Sequence, residues 1–408
     1  MPTAQLYPST GSAKPTSRAQ RRSGARLGKN TGNVGPPPSK DDAKRLSRRS
    51  KRYRTRAQLR TFTTLPRITH CGYSVIYGAS GVSLKIAEGV AHFSQLQTCG
   101  SVWACPVCGP KIRQRRAAEI NDALQAFVSE GLGVLMLTLT CRHHAGQRLV
   151  NLLKSQEAAW RRFMQSKPYR RVVRDHQLGF IQQRETTYGD KNGWHPHRHL
   201  AVVLDRPMDL DEIEALRAAL WPAWLSALKA EGLSAEETWI SPSGDIKHPG
   251  LDLRAGDPDG LADYMLKVAG EEGDLAMEMM RGDLKRGRLG RRTPEQILED
   301  FLDGGEVADR ALWLEYEAAT KGRKMTTWSH GLRERAKVEE EMTDEEVVAL
   351  EVGGVTLATV TRGAWPLVRA DSPGGVNLLR AAEQGTWEAE LNRLVGPRGW
   401  HRGAVPDG

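Results

Sequence analysis

The chain has 408 residues, 39% of them hydrophobic, which is enough for about two or three compact units with a buried core. No run of 18 apolar residues occurs, and the opening MPTAQLYPSTGSAKPTSRAQ lacks the apolar stretch of a secretion signal; the expectation is a cytoplasmic protein with no membrane partner. The net charge of +10 is unevenly placed: residues 1–60 hold sixteen Lys and Arg against Asp41 and Asp42, so the other 348 residues sum to −4.

In chain order, residues 1–60 come first as a basic tail rich in Gly, Ser and Pro, too poor in large apolar residues to offset its ordering entropy. A disordered segment is expected there, either simply solvated or holding DNA phosphates non-specifically. Residues 61–116 read as a small cysteine-bearing module. The main domain, 117–272, opens on a helical pattern and then GVLMLTLT at 133–140, an apolar run of buried-strand type. A helix around 147–164, strands around 178–187 and 195–204, a helix from Asp211 to about Ala230, a strand at 250–255 and a helix at 261–270 follow. That order, βαββαβα, predicts an α+β fold of the split βαβ, ferredoxin-like kind: an antiparallel sheet with helices on one face and the other face free for a substrate. Residues 273–337 read as helical, with Thr293, Pro294 and Gln296 forming an N-cap, a first-turn proline and a capping-box partner. The remaining 338–408 hold a helix after Thr343 and the apolar strand VTLATVT at 355–361, with no legible role.

Three constellations carry chemistry. In GWHPHRHLAVVL (193–204) the strand period of two puts His195, His197 and His199 on one face, with Arg198, Leu200 and Val202 on the other. Such a row suits a metal better than three ordinary surface histidines. If the preceding hairpin is symmetric about Lys191, Glu185 falls opposite His197 and joins the site; a one-residue slip would turn it away, leaving His195 as the further ligand. Second, five cysteines in a reducing compartment argue for metal binding before disulfides. Cys71, Cys99, Cys105 and Cys108, ending in CPVCGPKIRQRR, predict a tetrahedral structural Zn²⁺ site, with His70 or His92 as substitutes for Cys71; buried free thiols are the plain alternative. Cys141 stands apart. Third, Tyr264 and Lys267 share one face of the helix that follows the last strand, where a tyrosine is ordinarily core but here could reach the histidine face.

With the cysteine knuckle, LMLTLT, GWHPHRH and YMLK in this order, the chain resembles the rolling-circle plasmid replication initiators (Rep proteins) of the HUH endonuclease superfamily, most closely the actinobacterial plasmid and phage branch. The family's Leu-Thr-Leu-Thr strand matches Leu137 to Thr140, its histidine-hydrophobic-histidine motif His197 and His199 with Arg198 in the middle, and its Tyr-x-x-Lys motif Tyr264 and Lys267. The likeness extends over about 68–337. It implies a sequence-specific nickase: a histidine-held Mg²⁺ or Mn²⁺ polarises the scissile phosphate of origin DNA, and Tyr264, assisted by Lys267, attacks it to give a 5′-phosphotyrosine and a free 3′-hydroxyl primer, with later strand rejoining. Double- and single-stranded origin DNA, a host helicase and a DNA polymerase are the partners it implies. Some members place a water-activating glutamate four residues before the tyrosine; here that position is Gly260, with Asp259 and Asp263 nearby. Among other tyrosines, Tyr169 in SKPYRRVV suits phosphate contact and Tyr188 a mobile hairpin turn. The competing readings are an HUH transposase or relaxase, and a non-catalytic, zinc-containing DNA-binding regulator.

Overall fold

The computed structural model describes residues 40–235, 238–240, 246–248, 250–255, 291–338, 342–350, 353–369 and 373–403. Alternating apolar residues form the centre of an α+β domain. Strand β3 (Gly133–Leu139) is followed by helices α4 (Leu149–Gln165) and α5 (Lys167–Asp175), then by the long hairpin β4 (Gln177–Gly189) and β5 (Gly193–Leu204). Helix α6 (Leu210–Ala230) and strand β8 (Leu251–Ala255) come next, after a small pair, β6 (Trp239–Ile240) with β7 (Ile246–Lys247). The four principal strands lie in the order β8-β3-β5-β4, and each neighbouring pair is antiparallel. The helix expected at 261–270 lies outside the described residues.

One face of this sheet carries Leu135, Leu137, Leu139, Leu200, Val202 and Leu253, all buried with Trp160, Phe163 and Trp224 of α4 and α6. Contrary to expectation, the second face is not wholly free. Val134, Ile181, Ala201 and Val203 pack there against Ile120, Leu124 and Phe127 of helix α3 (Cys108–Ser129). The physical reason lies in GVLMLTL and LAVVL, which are apolar on both sides over part of their length, as strands covered on both faces are. Helix α3 covers that end, and toward the histidine end its Arg113 shares a small cleft with Glu185, Thr293, Glu295 and Tyr316.

The segment read as mostly helical also contributes strands. After β9 (Arg291–Arg292), which pairs with β4, the capping box of Thr293 and Gln296 opens α7 (Pro294–Gly304) as expected, and α8 (Val307–Thr320) leads into β10 (Thr326–Trp328). Strand β10 adds to the free edge of β4, pairing Thr326 with Gln183 and Trp328 with Ile181. Three residues is too short a run for periodicity to reveal, and the open edge of β4 supplies the pairing. Helix α9 (Leu332–Arg335) follows, with Leu332 under the α3-covered face.

A second sheet joins distant parts of the chain. Strands β1 (Gly81–Ala87) and β2 (Val90–Ser94) pair with β11 (Val355–Thr361) and β12 (Trp400–Arg402) in the order β12-β11-β1-β2. Helices α11 (Trp365–Val368), α12 (Pro373–Glu383) and α13 (Trp387–Val395) cover its apolar face, burying Val82, Leu84, Val360 and Leu379. Helix α10 (Asp344–Ala349) follows Thr343, as expected, with Thr343 as its N-cap in a capping box with Glu346. The tail reading needs correction from residue 40 onward, where Lys40–Leu59 forms helix α1. Leu59 is fully buried, and Arg56 is buried beside Tyr53 and Cys71, so tertiary contact supplies what composition lacks. The short helix α2 (Pro66–His70) leads to the first cysteine. Among the described residues no helix is long and apolar enough to cross a membrane.

Arg198 lies on the helix-covered face of β5 and is 2% exposed. Its guanidinium donates to Glu157 of α4 at 2.6 Å and to Gln182 at 2.8 Å, and Glu157 also takes Arg184 at 3.1 Å. Burial lowers the Arg198 pKa to about 10, against the pull of Glu157. Burial works to raise the Glu157 carboxyl, and the two arginines outweigh it, holding the group below its ordinary range. Its contribution to stability is therefore complete above the unfolded value of about 4.3 and is lost as pH falls through the lower folded value. Glu157→Ala strands a buried cation and should destabilise by about 2 kcal/mol, less than a fully buried pair because Glu157 keeps some solvent. Urea denaturation at pH 7 measures this, and the gap between wild type and variant should narrow on acidification.

Candidate functional site

The β4–β5 hairpin turns through Asp190 to Asn192 and re-enters at Gly193, whose φ of +74° and closeness to Ala145, with a Cβ position 2.8 Å from its Cα, favour glycine. The pairing is symmetric about Lys191, so Glu185 faces His197 and Gln183 faces His199. The Glu185 Oε2 atom lies 3.2 Å from His197 Nε2 and 3.4 Å from His199 Nε2. Each imidazole is held from behind: His197 Nδ1 meets the His195 carbonyl at 3.2 Å, and His199 Nδ1 meets the Thr138 hydroxyl at 3.1 Å. Donation by His197 Nδ1 to that carbonyl leaves its Nε2 lone pair facing Glu185. Thr138 belongs to the Leu-Thr-Leu-Thr strand and therefore orients a histidine, a role the sequence reading did not assign.

Two imidazole nitrogens and one carboxylate oxygen, mutually within 4.8 Å, are a donor set that could hold a divalent ion, and Glu185 Oε2 and His199 Nε2 are both buried. His195 does not join that trio. Its Nδ1 lies 2.7 Å from His143 Nε2, and His143 Nδ1 in turn reaches the Asn192 carbonyl at 2.7 Å. Burial first, then the neighbouring His197, lowers the His195 pKa to about 2, so the ring is neutral. His143 was missed by sequence reasoning; its only signal was the His143-His144 pair in the loop after β3. The first turn of β5 is fixed by Trp194, whose indole donates to Glu315 of α8 at 3.0 Å while the other Glu315 oxygen takes the Leu149 amide at the start of α4.

The four predicted cysteines also converge, all of them buried and with their sulfurs mutually within 4.8 Å. Cys71 Sγ lies 3.8 Å from Cys105 Sγ and 3.5 Å from Cys108 Sγ, close to the roughly 3.8 Å that a tetrahedron of ~2.3 Å zinc–sulfur bonds requires. The Ser101 amide points to Cys99 Sγ and the Cys108 amide to Cys105 Sγ, bonds that suit thiolate charge. Cys108 is also the first residue of α3, where the helix N-terminus favours an anion. Hydrogen bonds from Cys105, Cys108 and Cys99 drive the Cys71 thiol down against burial, with help from Arg56. The fourth corner is Cys71 rather than His70, which bonds Ser74 at 3.1 Å, or His92, which lies on β2. Cys141 is buried elsewhere, its thiol pushed up to about 12 by burial alone.

Tyr264, Lys267, Asp259 and Asp263 lie outside the described residues. The two other tyrosines weighed from sequence are corrected. Tyr169 is 4% exposed, with its ring between Trp160 and Phe163, because α5 turns it into the core instead of toward solvent. Tyr188 is not in a mobile turn: it lies in β4, edge-on to Trp194 at 5.1 Å and under Arg292.

Comparison with known proteins points to replication proteins. Residues 91–221 match the family described as "Replication protein". The chain is 28% identical over 312 residues to "Protein rep" of Streptomyces lividans, a match that covers 63% of this chain and 67% of that one. It is also 28% identical over 151 residues to a protein named "Neomycin resistance protein" from Streptomyces cyanogenus, covering 31% of this chain and 35% of that one. No solved structure matches. The matches bear out the resemblance to plasmid replication initiators, and the family match spans Cys99, Cys105, Cys108, Glu185 and the histidine row.

If the cysteine group holds zinc, purified protein will contain one zinc per chain by elemental analysis, beyond any ion at the Glu185 site. Cys105→Ser should lose that metal and melt at least 5 °C lower, since a closed thiolate site contributes folding energy directly (roughly 10 kcal/mol or more in isolated modules).

Proposed function

We propose that the chain is a rolling-circle initiator of the HUH type that nicks plasmid origin DNA through Tyr264. The observation that carries the reading is the convergence of Glu185, His197 and His199 on one face of the sheet, next to the end that α3 covers. The strand order β8-β3-β5-β4 with α4 and α6 on the opposite face supports a ferredoxin-like nuclease core, and the relative named "Protein rep" supports replication over transposition or mobilisation. A purely DNA-binding regulator would use the cysteine group and the basic N-terminus but has no need of a carboxylate aimed at two imidazoles.

A divalent ion, Mg²⁺ or Mn²⁺, would supply Lewis-acid polarisation of a phosphate oxygen there. Glu185 contributes the negative charge of the site, while Thr138 and the His195 carbonyl hold the two imidazoles in place. Tyr264 follows β8, a direct neighbour of the Thr138 strand, by nine residues in sequence, and the cation Lys267, three residues further on, would favour its phenolate. Attack by the Tyr264 oxygen forms the oxygen–phosphorus bond as the 3′-oxygen leaves and takes up a proton. The product is a 5′-phosphotyrosine and a 3′-hydroxyl that a host polymerase extends behind a helicase; the reverse attack rejoins the strand without a nucleotide cofactor. Rejoining balances because the phosphotyrosine retains the energy of the broken ester.

The test is nicking of a supercoiled plasmid that carries the origin, in Mn²⁺. His197→Ala and Glu185→Ala should each lower the rate by about 100-fold or more while DNA binding persists, and Thr138→Ala by about tenfold. A single-stranded origin oligonucleotide should become covalently linked to the peptide containing Tyr264, and Tyr264→Phe should form no adduct while still folding. Covalent linkage that persists in Tyr264→Phe would overturn the nucleophile assignment.

A further inference from the structure

The sheet face that carries Glu185 also borders a cavity of about 560 Å³, within the ~300–1,000 Å³ of small-molecule sites. Its position follows from strand register. Thr326 of β10 lines the cavity and pairs with Gln183, and Gln183 shares its face of β4 with Glu185, two residues on. One strand spacing and two residues along the strand place Thr326 roughly 8 Å from Glu185. Trp103 and Met325 line both this cavity and the small cleft that contains Glu185, so the two spaces share a wall.

The walls differ in chemistry. On one side stands the turn Lys321-Gly322-Arg323-Lys324 between α8 and β10, where Gly322 takes a φ of +72° and three cations fall within four residues. The indole nitrogen of Trp103 donates to the Arg323 carbonyl at 2.7 Å, which ties the ring and the turn into one piece. The acidic residues that line the cavity are engaged: Glu345 by Arg67 at 2.5 Å, Asp344 by Arg116 at 3.4 Å, and Glu317 by the Thr63 and Thr64 hydroxyls and the Thr64 amide. An aromatic ring fastened to a cationic turn is the pairing that single-stranded nucleic acid uses, with base on ring and phosphate on cation.

We propose that this cavity receives one unstacked nucleotide of single-stranded DNA flanking the cleaved phosphate, with its base on Trp103 and its phosphate on Lys321 and Lys324. The identity of the strand rests on the nickase reading; the chemistry of the cavity does not. A duplex cannot enter a concave site of this size, so the pocket discriminates the melted strand from the paired one.

The test uses full-length, zinc-loaded protein and a fluorescently labelled decathymidylate read by anisotropy. Lys321→Ala/Lys324→Ala alters only exposed turn residues; it should weaken binding about tenfold and reduce the salt slope by about 1.4, for two phosphate contacts at ~0.7 each. Trp103→Ala should lose about tenfold and Trp103→Phe most of that less, because stacking needs a ring. A ten-base-pair duplex should be far less sensitive to these changes. Wild-type affinity and slope in the double lysine variant, at unchanged melting temperature and zinc content, would overturn the proposal, as would failure of the wild type to bind decathymidylate. If the wild type does not nick origin plasmid in Mn²⁺ while the decathymidylate losses stand, the nuclease reading falls and the cavity remains a single-strand site.

Discussion

Across the β4–β5 hairpin, Glu185 stands directly opposite His197, and the rest of the site depends on that pairing. Because side chains alternate along a strand, the same register that sends Glu185, His197 and His199 to one face sends Arg198 and Leu200 to the other. A slip of one residue would bury the histidines near Trp160 and Phe163 on the helix side and expose the apolar residues. Several independent contacts resist it: Gly193 accommodates the chain against Ala145, Glu315 holds the Trp194 indole, and the Pro196 carbonyl accepts from Gln156 at 3.0 Å.

The helix-covered face carries an unusual cost. A hydrophobic residue between the two histidines would need nothing, whereas Arg198 requires Glu157 and Gln182 to be brought to it. Those partners sit on α4 and β4, so one buried guanidinium links the histidine strand to its helix and to the strand that carries Glu185. Replacement by an apolar residue would be tolerated energetically more readily than loss of the carboxylate, because the first removes the buried charge and the second abandons it.

The cysteine group occupies a comparable position in the fold. It lies where the first residue of α3, the loop 99–105 and Cys71 meet, and α3 then runs across the second face of the central sheet. Its apolar neighbours, Ile68, Val102 and Ile112, belong to the same buried cluster as Leu137 and Trp313. The cysteine group and the covered end of the central sheet are therefore joined through one helix, α3.

The sequence by itself determined what strand alternation and local chelation can specify. The period of three histidines, the Glu185 register from a symmetric turn, the capping box at Thr293, the helix after Thr343, the β11 strand and the cysteine quartet were all legible, since each depends on spacings of a few residues or on a ligand set of one chemical type. Tertiary structure decided what depends on contacts far apart in the chain. The folding of Lys40–Leu59, composed like a disordered tail, follows from burial of Leu59 and Arg56 against residues not adjacent to them. The pairing of β11 with β1 joins positions as distant as Gly81 and Thr361, and β10 is a strand only because β4 offers it an unpaired edge. Likewise Thr138 behind His199, and His143 beside His195, became neighbours through sheet pairing and loop packing, interactions that no local periodicity encodes.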